Sequence, residues 1–387
     1  LRERFVQAVN RRMRAHGRVG SMLSGGLDSS GVVAIASQHL QRVGLPPLPT
    51  FSAVSHAPDC PETAAIAHML NKFPLQPTCV AWEDSDELID AGIVDWPKHG
   101  EPFDAPMTML DCQYRNAARQ GIRIIMDGVD ADALLSEGDY LKQLAQSGQI
   151  RRVMYEARET ARFFNVPLSK WRPLRIALAG AMRPNWLRPL LRHLRKPVSN
   201  NLPLFQPAFR QRLDLDARRR ASAKAAALER QAVALPGAYT AMASMSVVAA
   251  IERYGRVAAA HGVEPRHPFL DRQLIEYCAW LPLSVRLRDG YPKWAMRQAL
   301  TDVLPAEVAW RRGKEHLGWH FNLALLQRDH PLADSPHSRG QRWRDYLDPL
   351  RLPRPNPDGR WDPNSEDWQK AIKMGALAAW LQQHEDG

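Results

Sequence analysis

The stretch Ser24-Gly25-Gly26-Leu27-Asp28-Ser29-Ser30 holds the residue types from which a phosphate site is built. Gly25 and Gly26 let the backbone approach an anion closely and take up positive φ without steric cost. The serines supply hydroxyl donors and cap the helix expected to follow. Free N–H groups at a helix start, with the helix dipole behind them, attract phosphate. A carboxylate beside phosphate is repulsive unless a cation separates them, so Asp28 points to Mg²⁺. The lysine of a GxxxxGK[ST] loop is absent, so this is a different kind of phosphate cradle.

Three further clusters carry charge. Asp127-Gly128-Val129-Asp130-Ala131-Asp132 sets three aspartates within six residues. Such crowding is costly unless a metal or hydrogen-bond donors neutralise it. Asp28 with one of these gives two hard oxygen ligands for Mg²⁺, phosphate and water supplying the rest. The run Trp310-Arg311-Arg312-Gly313-Lys314-Glu315-His316-Leu317-Gly318-Trp319 brings cations that can balance pyrophosphate and the charge developing at phosphorus. Glu252 stands nineteen residues before Asp271, on an expected helix with Arg253 and Arg256. Taken singly, the acidic run also reads as a surface loop, the basic run as a solvated loop, and Glu252 as a surface glutamate.

Positioning these residues requires a sheet. A short apolar strand precedes the Ser24 turn, and a helix follows it to about Val43. The pattern predicts strands over 50–55, 75–80 and 122–126, alternating with helices over 61–70 and 107–120, and a helix over 1–16 with Phe5, Val6, Val9 and Met13 on one face. Leu45-Pro-Pro-Leu-Pro49 reads as a loop. Strands alternating with helices imply an α/β fold, a parallel sheet covered on both faces. Ligands on such sheets sit beyond the carboxyl ends of the strands, so the ends of strands one, two and four should converge. From 134 to 246 the pattern is helical and broken by prolines. From 241 to 300 it is regular helix with one proline break at Glu264-Pro-Arg-His-Pro-Phe-Leu-Asp271. A last helix is expected near 367–383.

Composition bounds the rest. The 387 residues are 45% hydrophobic and 24% charged, as in a globular protein of two or three domains. No apolar run approaches the roughly 18 residues of a membrane span, and no membrane partner is expected. The first residue is leucine, as in a trimmed or incomplete chain, and the cationic, amphipathic first helix is not expected to be a signal peptide. The four cysteines, Cys60, Cys79, Cys112 and Cys278, lack CxxC spacing and read as reduced, structural thiols of a cytoplasmic protein. The net charge of +11 is partly local: between Arg183 and Arg230, twelve Lys and Arg face three Asp and Glu. Such a region can attract nucleic acid, acidic peptide or phosphate, or be a solvated helical surface.

Ser-Gly-Gly-Leu-Asp-Ser resembles the PP-motif of the ATP pyrophosphatase superfamily, which holds the β,γ-pyrophosphate while the α-phosphate is attacked. With the other clusters, the sequence resembles the synthetase domain of the asparagine synthetase family over residues 1–322. The resemblance takes in SGGLDSS, the Glu101-Pro-Phe-Asp104 turn, DGVDAD in place of that family's SGxGxDE, Arg266-His-Pro-Phe-Leu-Asp271, Lys293-Trp-Ala-Met-Arg297 and Lys314. It implies an ATP-dependent, AMP-forming C–N ligase that activates a side-chain carboxylate as an acyl-adenylate for attack by an amine. It implies Asp28 and Asp132 as Mg²⁺ ligands and Lys314 as the cation stabilising the transition state. ATP contacts fall to Ser24, Gly25, Gly26, Leu27, Asp28, Ser29, Ser30, Asp127, Gly128 and Lys293, with Ala53 and Val54 of strand two beside the adenine. The implied division is 1–133 as an ATP-binding α/β core, 134–240 as an irregular helical insertion, 241–330 as a helical part completing the site, and 331–387 as a tail with a final helix.

Two departures matter. The family's glutamine-hydrolysing domain, with its N-terminal cysteine, has no counterpart in the sequence, so ammonia generation is not expected of it. Val129 stands where asparagine synthetases carry glutamate and β-lactam synthetases tyrosine. Glu252 matches the glutamate of the β-lactam Tyr–Glu pair, so a base on that helix is expected without the tyrosine. The Gly-Val-Glu-Pro-Arg-His-Pro-Phe-Leu-Asp and Trp-Arg-Arg-Gly-Lys-Glu-His-Leu-Gly-Trp runs resemble lasso peptide cyclases most. That resemblance implies a precursor peptide as substrate, closed to a macrolactam, with a leader-binding protein and a leader peptidase as pathway partners. A helical insertion and a basic wall suit a peptide better than free aspartate. The alternatives are an asparagine or β-lactam-type synthetase and, from another class, a tRNA-modifying PP-loop enzyme. A nucleic-acid partner is disfavoured by the absence of zinc-spaced cysteines and the presence of the RHPFLD and Lys314 segments.

Overall fold

The computed structural model describes residues 1–92, 101, 107–167, 204–232, 242, 244–313, 317–328, 343–362, 365 and 367–383. Lys314, residues 102–104 of the acidic turn and residues 183–203 of the basic stretch lie outside the described residues.

Five parallel strands form one sheet: β1 (Val19–Met22), β2 (Leu48–Val54), β3 (Leu75–Ala81), β4 (Ile124–Met126) and β5 (Glu264–Arg266), in the order β3-β2-β1-β4-β5. The chain builds outward from β1 in one direction and then returns to its other side with β4. The switch point therefore lies between β1 and β4, where a crevice opens beyond the strand ends. β1 is buried along its whole length, as a central parallel strand must be. Each edge strand carries a proline, Pro77 in β3 and Pro265 in β5.

Helices cover both faces, because Ile125 and Met126 point opposite ways and each needs a partner layer. On one face, α1 (Arg2–Arg12) and α2 (Leu27–Arg42) bury Phe5, Val9, Val32 and Ile35 with Met126. On the other, α3 (Thr108–Arg119) and the helix Met245–Ala259 bury Tyr114, Ala117, Val257 and Ala258 against Phe51 and Ile125. Beyond this second layer, the helices Gly318–Arg328 and Asp367–Gln383 share a core of Phe321, Leu325, Trp368 and Ile372 that reaches Ala53 of β2. The helix Tyr140–Gln146 packs on the helix Ile150–Phe163, whose buried face also meets Leu287.

The α/β expectation holds, and the final helix spans Asp367–Gln383 as anticipated. The stretch 241–300 is a correction. It is not regular helix with a proline break: it contains β5, a two-stranded hairpin (Leu287–Arg288 with Tyr291–Pro292), and the helices Arg272–Ala279 and Trp294–Leu300. β5 has only three residues, one of them proline, too short for a period-2 pattern, and pairing with β4 alone makes it a strand. β2 also begins earlier than expected, at Leu48-Pro49, since proline's fixed φ is compatible with extended backbone.

The segment after β5 ties the sheet to α1. The Arg266 guanidinium donates to the carbonyls of Arg12 (2.9 Å) and Arg14 (2.6 Å) at the end of α1. The Phe269 ring meets Phe5 at 5.0 Å. Buried Asp271 caps the helix Arg272–Ala279, accepting from the backbone N–H groups of Gln273 (3.1 Å) and Leu274 (3.3 Å). It also pairs with Arg11 at 3.1 Å and Arg12 at 3.7 Å. Asp271→Ala is expected to cost about 2–3 kcal/mol, the lost cap plus the lost charged hydrogen bonds. Asp271→Asn should cost less than the alanine variant because it keeps the cap. Urea unfolding midpoints check this, and an alanine variant as stable as the parent would remove Asp271 from this structural role.

Candidate active site

The turn after β1 is held from within. Gly25 has φ of 72°, and a Cβ there would lie 2.6 Å from the Glu62 carbonyl, so only glycine permits the turn this close to the neighbouring helix. The Ser29 hydroxyl meets the Ser24 N–H at 3.2 Å and the Ser24 hydroxyl at 2.9 Å, closing the turn on itself. Ser24, Gly26, Asp28 and Ser29 line a cleft of about 480 Å³. Leu27 packs into the core instead, and Ser30 is fully buried. On β2, Ala53 reaches the cleft and Val54 stays outside its lining.

The loop after β4 is pressed against this turn. A Cβ on Gly128 would lie 2.6 Å from the Ser29 N–H nitrogen and 2.9 Å from Asp28, so glycine is what allows the two backbones to meet. Asp127, Gly128, Val129, Asp130 and Asp132 all line the cleft, and strands one, two and four converge there as expected. Asp127 is 3% exposed. Its Oδ1 accepts from His267 Nδ1 at 2.9 Å and from the Val129 N–H at 3.0 Å. Burial alone would lower the His267 pKa, but the Asp127 carboxylate beside it outweighs burial and holds it above the usual value. Burial pushes the Asp130 carboxyl up, His267 opposing and Asp127 and Asp132 reinforcing the shift.

Lys293 stands between the two carboxylates expected to share a cation. Its ammonium is hydrogen-bonded to Asp28 Oδ2 and lies 2.7 Å from Asp132 Oδ1. Burial would lower its pKa, but Asp28 and Asp132 outweigh that and raise it, so Lys293 is charged. Lys293 has φ of 56° and immediately precedes the helix Trp294–Leu300. The same helix carries buried Arg297, whose guanidinium donates to the carbonyls of Ala309 (2.6 Å) and Arg311 (3.3 Å) and lies 5.2 Å from the Phe163 ring centroid. Burial lowers the Arg297 pKa to about 10. One helix thus ties the acidic site to the basic segment. That segment is anchored at both described ends: the Gly313 N–H donates to the Phe163 carbonyl (2.8 Å) and the Leu317 N–H to Glu62 Oε2 (3.3 Å).

Glu252 is not brought to the cleft. Its side chain is 62% exposed and its nearest ion-pair partner is Arg256, at 3.9 Å. Tyr254 lines the cleft instead, its ring edge-on to His267 at 5.7 Å. Residues two apart on a helix point about 200° apart, so these two cannot share a face. Tyr254 was missed in the sequence, and His267, though inside the Arg266–Asp271 run, was given no role. Tyr254 falls on an i, i+3, i+4 stripe with buried Val257 and Ala258, a readable signal. The role of His267 was not readable from its motif, because its partner comes from a strand pairing invisible locally.

The donor set fits Mg²⁺ held jointly with phosphate. Asp28 Oδ1 is buried with no hydrogen-bond partner. Among the described residues, no group of three or more His, Cys, Asp or Glu side chains could hold an ion by itself. Asp28 and Asp132 therefore need phosphate oxygens to complete a shell. All four cysteines are free, and burial pushes the Cys112 and Cys278 thiols up to about 11 and about 12. Among the described residues, no helix is long and apolar enough to cross a membrane.

Similarity to known proteins places the chain in a family. The family described as asparagine synthase matches residues 1–382. The chain is similar to asparagine synthetase [glutamine-hydrolyzing] 3 of Bacillus subtilis, 21% identical over 81% of this chain and 47% of that protein. It is 42% identical to the asparagine synthetases [glutamine-hydrolyzing] of Gallus gallus and Rattus norvegicus over 15% of this chain and 11% of each of those proteins. The chain spans about half the length of the bacterial relative and about a tenth of the two vertebrate ones in these matches. With a match across nearly its whole length and a glycine turn facing paired aspartates at the strand ends, the chain belongs to the asparagine synthase family.

Proposed function

We propose that the protein is an ATP-dependent, AMP-forming C–N ligase that adenylates the side-chain carboxylate of an Asp or Glu in a precursor peptide and closes a macrolactam with the peptide's N-terminal amine, as a lasso peptide cyclase does. The observation that carries the ligase reading is the meeting of Asp28 and Asp132, from adjacent strand ends, around one cation position beside the Gly25-Gly26 turn. The peptide reading is supported by the cleft's apolar and aromatic wall, which includes Met107, Met109, Leu110, Tyr254, Leu317 and Trp319. A free amino acid calls for charged partners at both its ends, whereas a peptide segment brings apolar surface to bury.

In this reading, the N–H groups and hydroxyls of the Ser24–Ser29 turn hold the pyrophosphate end of ATP. Asp28 and Asp132 hold Mg²⁺, which when bound neutralises charge on the phosphates. The peptide carboxylate attacks the α-phosphorus, forming the acyl-adenylate and releasing pyrophosphate. Lys314 offsets the charge that builds on the phosphate oxygens. The amine then attacks the acyl carbon, the bond from that carbon to the AMP phosphate oxygen breaks, AMP leaves, and the amine's proton passes to solvent water in the open cleft. Glu252 is too far out in solvent to take that proton, and Tyr254 orients the substrate from the cleft wall. The relatives' own names favour a second reading, asparagine formation from aspartate.

Incubation with ATP separates the two readings. A linear peptide carrying a free N-terminus and an internal Asp or Glu should give AMP, pyrophosphate and a product lighter by one water. AMP formation with aspartate and ammonia instead would overturn the peptide reading. Asp28→Asn and Asp132→Asn should each abolish ATP–pyrophosphate exchange with the fold intact by circular dichroism, and exchange near the parent's rate would remove the metal assignment. Lys314→Met should slow single-turnover AMP release by about 10²–10³, the range for losing one stabilising group. Glu252→Gln should leave amide formation within about twofold, as expected for a surface residue away from special features. A large loss there would restore Glu252 as the base.

A further inference from the structure

We infer that Lys293 determines which form of the metal the cleft accepts, excluding the free divalent cation and admitting the metal only as its nucleotide polyphosphate complex. This rests on the nucleotide reading above. The Lys293 ammonium takes the position a cation shared by Asp28 and Asp132 would need, bonded to one oxygen of each carboxylate. With Lys293 in place, the three charges sum to one negative charge instead of two, and the position itself is filled. A free divalent ion would have to evict a buried, paired ammonium and leave it without a partner. A nucleotide complex changes the balance, because its polyphosphate offers the displaced ammonium new oxygens as the metal arrives.

The setting suits a cation that stays in reach after displacement. The Lys293 backbone lies in the left-handed region at φ of 56°. The preceding hairpin is fixed by the Gly290 N–H donating to buried Glu156 Oε2 at 3.0 Å, so the tether does not move with the ammonium. A Cβ on Gly290 would lie 2.2 Å from the Glu159 backbone, which holds the hairpin against the helix Ile150–Phe163. Asp28 Oδ1, buried and without a hydrogen-bond partner, is the oxygen left for the incoming ion.

Mn²⁺ binding followed by electron paramagnetic resonance tests this without turnover. The parent protein should bind Mn²⁺ weakly alone and tightly once a non-hydrolysable ATP analogue is added. Lys293→Met and Lys293→Asn, the latter tolerant of positive φ, should bind Mn²⁺ alone about 10²-fold more tightly than the parent, the effect of removing one nearby charge at partial burial. Both variants should melt lower than the parent and regain stability on adding Mn²⁺. Lys293→Met combined with Asp132→Asn should lose the gained Mn²⁺ affinity. Equal Mn²⁺ affinity in the nucleotide-free parent and variants would overturn this inference alone. Absence of Mn²⁺ binding even with the analogue would overturn it together with the metal site it rests on.

Discussion

Asp28, Asp127, Asp130 and Asp132 crowd the carboxyl ends of two adjacent strands, and like charges do not gather in a half-buried cleft without compensation. The compensation comes from two directions. His267 arrives on the loop after β5 and pairs with Asp127; Lys293 arrives ahead of the helix Trp294–Leu300 and pairs with Asp28 and Asp132. Both partners come from sequence more than 130 residues beyond the aspartates they pair with. The C-terminal half therefore has to fold onto the sheet for the acidic cleft to exist. This explains why the segment from β5 to Asp271 is tied so firmly to α1: it sets the depth at which His267 enters.

The sequence revealed the cleft's acidic and glycine components because they lie in short local runs. Ser24 to Ser30 is one turn, and Asp127 to Asp132 is one loop; strand–turn–helix alternation sufficed to place both at strand ends. The core strands were legible for the same reason. What stayed hidden depends on pairing across the chain. β5 is a strand only because β4 lies beside it, and His267 matters only because β5 brings it to Asp127. Glu252 was singled out by its match to the glutamate of the β-lactam Tyr–Glu pair, but helix geometry put Tyr254 on the inner face. Lys293 was read as a nucleotide contact, and nothing local told that it reaches both carboxylates.

The helix Ile150–Phe163 connects parts that the sequence separates widely. Its Glu156 fixes the hairpin leading into Lys293, and the carbonyl of its Phe163 holds Gly313. Arg297, lying over the Phe163 and Tyr291 rings, clamps the carbonyls of Ala309 and Arg311 on the approach to the same loop. A shift of this helix would therefore move the cation beside the carboxylates and the entrance to the basic segment together. That gives the helical part a mechanical role in keeping two charged elements in register.

The prolines in the two edge strands have a consequence beyond local geometry. In β5, Glu264 donates its N–H to Arg123 and Arg266 accepts from Asp127, so Pro265 occupies the alternate position that turns away from β4. With no N–H there, the open side of β5 lacks a donor that an incoming strand would need. Pro77 removes a donor from β3 at the opposite margin. The sheet is thus guarded on both sides against edge-to-edge association of unrelated chains, whose extended segments would otherwise find an exposed strand to pair with.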